Sequence, residues 1–147
     1  MARFICNFVG LFLIFAGLLG FLAPGLMDLH LNQTHNLINL VTGVLALGFG
    51  SVASAPVLRK FALTFGMVFT FMGVAGYYAP PGASSMPGMS VSDHLLRLVP
   101  GELEFGTPDS LLHNGVGVFF LLAAMMPAKV PAEKKRRKKP VREKVVA

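Results

Sequence analysis

Four side chains in this sequence pair at helical spacing and could do chemistry: His35 with Asn39, and Asp109 with His113. Residues four apart lie on one helix face, so each pair presents its polar groups together. Imidazole titrates near neutrality, so an Asp109–His113 or His35–Asp109 pair could respond to pH, pass a proton or hold a ligand. His35 and His113, on different helices, could also ligate a haem axially. The plainer alternative is that these groups cap helices and hydrogen-bond between them, at around 1 kcal/mol per contact in a membrane. Asp109 suits a helix N-terminus, where the dipole favours negative charge, and Thr34 could cap the helix carrying His35.

The elements that must position these groups are apolar. The chain has 147 residues, 54% of them hydrophobic and 14% charged, against about 25% charged in soluble domains. It has 16 Gly and 13 Phe but no Trp, a mixture suited to membrane helices. Cys6 is the single cysteine, so the fold is not a disulfide scaffold. Spanning hydrocarbon about 30 Å thick takes roughly 20 mostly apolar residues. Four stretches qualify: 4–22, 35–54, 61–79 and 111–128. Pro24, Pro56, Pro80 and Pro127 fall at or beyond their ends, where helix breakers belong. The expected fold class is all-α: a four-helix transmembrane bundle over 1–128, then a basic cytoplasmic tail over 129–147. The first span exceeds the roughly 7–15 apolar residues of a signal peptide, so it is expected to stay as a span.

Charge orients the bundle. Arg3, Arg59, Lys60 and nine tail residues fall on one side, leaving Arg97 as the odd one among 13 basic residues. Asp28, Asp93, Glu102, Glu104 and Asp109 fall on the other. The positive-inside rule places both termini in the cytoplasm, in a multi-pass membrane protein.

The chain also reads as two copies of one helical hairpin. A shift of 56 sets Arg3 on Arg59, Gly10 on Gly66, Gly17 on Gly73 and Gly20 on Gly76. A shift of 74 sets Leu29 on Leu103, His35 on Asp109, Asn39 on His113 and Gly43 on Gly117. Both copies start inside, so their symmetry axis should follow the membrane normal, unlike an inverted repeat. The recurring glycines should be places where helix backbones meet closely.

The stretches around Gly20-Phe21-Leu22-Ala23-Pro24-Gly25 and His35-Asn36-Leu37-Ile38-Asn39 resemble a bacterial family of uncharacterised four-helix membrane proteins, a domain of unknown function. Members open the second span with His-Asn-Leu-x-His and the fourth with Asp-Asn-x-x-His. Here Asn39 and Ser110 depart from that pattern. The resemblance covers residues 3–127 and implies a topology but no activity.

The second outer loop is expected to be irregular at first, with Met86, Met89 and His94 as weak soft-metal donors. Residues 92–99 read as a short interfacial helix capped by Ser92 and ended by Pro100. In the tail, Lys134, Lys135, Arg136, Arg137, Lys138 and Lys139 should contact anionic lipid head groups rather than nucleic acid.

No nucleophile–base set, phosphate loop or Cys/His metal motif is present, and no cofactor is expected. The expected function is therefore non-catalytic, as a subunit or packing module that associates with itself or with other membrane proteins. The competing classes are a quinone- or haem-linked redox protein, by analogy of size and topology with DoxX-like proteins, and a small proton or ion transporter.

Overall fold

The computed structural model describes residues 1–23, 29–85, 89 and 91–126. Four helices dominate: α1 (Ala2–Leu22), α2 (Gln33–Val52), α3 (Ala55–Tyr77) and α4 (Thr107–Met125). The stretches expected to span at 4–22, 35–54, 61–79 and 111–128 each correspond to a helix, with bounds displaced by a few residues; positions 127 and 128 lie outside the described residues. Three of them, α1, α2 and α3, are long and apolar enough to cross a membrane. The first half of α4 carries Asp109, His113 and Asn114, which lower its hydropathy.

Helix starts follow local chemistry. Asn32 is the N-cap of α2, and its side chain accepts from the His35 amide at 2.8 Å. Thr34 does not cap α2 but reaches the Glu102 carboxylate instead. Proline opens α3 and α4, where its missing N–H costs no helical bond.

The all-α expectation needs correction. Between α3 and α4 lie two small antiparallel hairpins, β1 (Gly82–Ala83) with β2 (Val91–Ser92), and β3 (Leu96–Val99) with β4 (Leu103–Phe105). The interfacial helix expected over 92–99 is therefore two strands. Gly101, with φ at 78°, makes the turn that lets β4 fold back on β3. This cross-strand pairing overrides the local apolar spacing that suggested a helix.

The helices pack as two hairpins, α1 on α2 and α3 on α4, and α1 meets α4 most between the pairs. Glycines set the spacing within each hairpin. A Cβ on Gly10 would stand 2.8 Å from the Gly43 carbonyl oxygen, and one on Gly43 would stand 2.7 Å from that of Gly10. In the other hairpin, Gly66 closes on Leu121 and Gly117 on Thr70 and the Gly66 carbonyl. Gly17 faces Asn36 and Leu40, while Gly73 faces Ser110 and Asn114. Gly20 lies against the Asn36 side chain, and Gly76 against that of Ser110. All eight glycines singled out in the sequence therefore sit where a side chain would collide with the partner helix.

Arginines close the other ends. Arg3 donates to the carbonyls of Gly50 (3.0 Å), Ser51 (2.8 Å) and Ala53 (2.6 Å) at the end of α2. Arg59 donates to the Ala124 carbonyl at 2.7 Å, at the end of α4. A cation there meets the negative pole of the helix and its unpaired carbonyls. The apolar core lies toward this end, with Cys6, Val9, Leu13, Phe61, Phe69 and Phe120 buried together. Large apolar side chains such as Phe4, Phe15 and Phe71 point outward, as lipid-facing helices require.

Candidate functional site

Asp109 is the junction between the hairpins. It lies in the first turn of α4, three residues after the N-cap Gly106, and its Oδ2 accepts from the Gly106 amide at 2.9 Å. It thus caps α4 by reaching back from the third helical position rather than from the cap itself. The same carboxylate accepts from the His30 amide at 3.1 and 3.2 Å and from His30 Nδ1 at 2.7 Å. Both side chains are buried. His30 precedes α2, so this cluster clamps the α1–α2 hairpin to the start of α4.

The backbone carbonyls of the same two residues hold the other imidazoles. His35 Nδ1 donates to the His30 carbonyl at 2.8 Å, and His113 Nδ1 donates to the Asp109 carbonyl at 2.7 Å. A carbonyl can only accept, so Nδ1 carries the proton in each ring. In the neutral imidazole Nε2 is then left with a lone pair. The two rings lie 5.5 Å apart, centroid to centroid. Phe105 of β4 meets both edge-on, at 5.2 Å from His35 and 4.9 Å from His113, and Phe69 stacks on His113 at 5.3 Å.

These groups border a cavity of about 520 Å³ between α1, α2 and α4. His35, Asn39, Asp109 and His113 all line it, so the structure brings the four sequence-selected residues to one place. They do not bond side chain to side chain. Each imidazole bonds a backbone carbonyl, and Asp109 bonds His30. The rest of the lining is apolar and includes Phe12, Phe15, Leu19 and Leu111. Phe15 and Leu111 are exposed on the outer faces of α1 and α4, so the mouth opens sideways between those helices. Nearer the arginine end, Phe8 and Phe119 meet at 6.2 Å and close that seam.

Sequence reasoning missed His30. The shift of 74 that aligns Leu29 with Leu103 also sets His30 on Glu104, and both are buried polar residues of the segments that precede α2 and α4. Glu104 gathers the β-hairpins: it accepts from Ser84 Oγ (2.6 Å), the Ser85 amide (3.0 Å) and the Gly101 amide (3.0 Å), with Arg97 Nε at 3.6 Å. Burial pushes its pKa up, but the bonds from Ser84, Gly101 and Ser85 outweigh burial and hold it below the usual carboxylate value. Asn32 and Thr34 bind the turn after β3 through Gly101 and Glu102, which fixes the hairpins over the end of α2.

Among the described residues, no three His, Cys, Asp or Glu side chains are grouped to hold a metal ion. His94 donates Nδ1 to the Ala79 carbonyl at 2.9 Å and stacks on Tyr77. Met86 and the tail cations Lys134, Lys135, Arg136, Arg137, Lys138 and Lys139 lie outside the described residues. No family model, curated protein or solved structure matches the chain.

Proposed function

We propose that this chain is a non-catalytic membrane protein that takes up a lipid-soluble molecule whose head group donates hydrogen bonds. The single observation behind this is a largely apolar cavity at whose polar end two imidazoles make no Nε2 hydrogen bond to a described residue. A lipophilic pocket with few convergent polar groups is the usual form of a binding site for a lipophilic molecule.

The chemistry narrows the quinone-linked alternative. Quinone carbonyls only accept, whereas a hydroquinone, phenol or protonated fatty acid donates, and neutral Nε2 needs a donor. The Asn39 amide adds one group able to donate or accept. The transporter alternative is less favoured, because Val9, Leu13, Phe69 and Phe120 pack the core below the site.

Arg3, Arg59 and Lys60 border one cleft at the end opposite Asp109 and Glu104, which favours α4 as a fourth span with both termini cytoplasmic. Matched contacts favour the duplicated hairpin. Arg3 to Gly50 corresponds to Arg59 to Ala124, and Gly10 to Gly43 corresponds to Gly66 to Gly117, under the shifts of 56 and 74. The bacterial inner membrane follows from the family resemblance alone.

The test uses two probes with one apolar body, decyl-benzohydroquinone and its dimethyl ether. The hydroquinone should raise the unfolding temperature of the purified protein in detergent and the ether should not. Equal responses, or none, would sink the proposal.

A further inference from the structure

A second cavity, of about 620 Å³, lies at the opposite end of the molecule, between the starts of α1 and α3 and the end of α4. Arg3, Arg59 and Lys60 line it, and no acidic side chain does among the described residues. None of the three cations forms an ion pair among the described residues. Both ion pairs there, His30–Asp109 and Arg97–Glu104, lie at the far end. Arg3 is held by carbonyls, which fix its position without cancelling its charge. Arg59 spends Nε on Ala124 and keeps its terminal nitrogens free of hydrogen bonds to described residues. Ser54, the N-cap of α3, makes no side-chain bond to the first turn, so the positive pole of that helix adds to the same field.

Three exposed positive charges at the edge of a low-dielectric phase attract a counter-anion. The shape indicates its carrier. Leu58 and Met126 continue the wall, and Leu63, exposed on α3, leads from the cations to the lipid-facing surface. We propose that this cleft holds the phosphate of an anionic membrane lipid, with its acyl chains running along α3 past Leu63. Basic pockets between helices on the cytoplasmic side recognise such head groups through the phosphate charge. Its cations belong to the starts of α1 and α3.

Native mass spectrometry on the full chain tests it, from micelles with equal phosphatidylglycerol and phosphatidylcholine. The protein should retain phosphatidylglycerol preferentially. Lys60→Gln should weaken that retention by about fivefold, and Arg59→Gln by at least as much. Lys60 makes no hydrogen bond or ion pair with a described residue, so Lys60→Gln decides the matter if Arg59→Gln fails to fold. Replacing Lys134–Lys139 by glutamine should leave the preference in place. Retention lost with the tail but kept in Lys60→Gln overturns the proposal. So does inorganic phosphate alone displacing the lipid, which would make the cleft a site for a soluble anion.

Discussion

His35 and His113 stand on different hairpins with their rings 5.5 Å apart, and each hangs by Nδ1 from a carbonyl of one member of the His30–Asp109 pair. The four residues therefore form a closed circuit. The spacing of the two imidazoles depends on the carboxylate that neither of them touches through its own side chain.

Asp109→Asn should break that circuit. An amide cannot accept from His30 Nδ1, His30 N and Gly106 N while its own N–H groups face donors. The loss should be about 3 kcal/mol of stability, typical of removing one partner of a buried pair. Reversible unfolding in mixed micelles measures it, and hydroquinone binding should fall in parallel.

His113→Phe should separate binding from folding. The ring still stacks on Phe69 and meets Phe105, but no acceptor remains. Hydroquinone affinity should drop about tenfold, the upper range for one hydrogen bond, with little change in unfolding temperature. Unchanged affinity would remove His113 from the binding head.

Gly10→Ala should cost about 1–3 kcal/mol, because its new methyl meets backbone at Gly43 and Leu47, which cannot rotate aside. Gly48→Ala in α2 is the control: nothing lies within 4 Å of the added carbon. It should be neutral or stabilising, since alanine is the better helix former. Equal losses at both positions would mean that helix propensity, rather than the seam, decides.

Glu104 makes the β-hairpins sensitive to acid. Its folded pKa lies below the unfolded value of 4.5, so it stabilises above that pH. The stabilisation is lost as pH falls from there through the lower folded value. Glu104→Gln should flatten the pH dependence below 4.5, as read by amide exchange at Ser85 and Gly101.

Much of this was legible in the sequence because hydrocarbon imposes simple rules. Charge-free runs gave the helices, and glycines at matched intervals gave the seams. The hairpins of residues 82–105 escaped because their strands are two to four residues long and depend on partners rather than local spacing. The meeting of His35, Asn39, Asp109 and His113 could be guessed from helix starts at one end. The cavity could not, since Phe12, Phe15 and Leu19 acquire it only through the tilt of α1 against α4. His30 was missed because a lone histidine in a loop carries no period; only its aligned position opposite Glu104 marked it.

Each pair of helices owns a complete set of fastenings: a glycine seam along its length and an arginine at its closed end. The two pairs are joined by the Ala53-Ser54 link, a common apolar core, the bonds of Asn32 and Thr34 to the β3–β4 turn and the Asp109 clasp. The larger part of the cavity wall comes from α1 and α2 on one side and α4 on the other, so neither pair encloses that space alone and the Asp109 clasp is also its hinge pin.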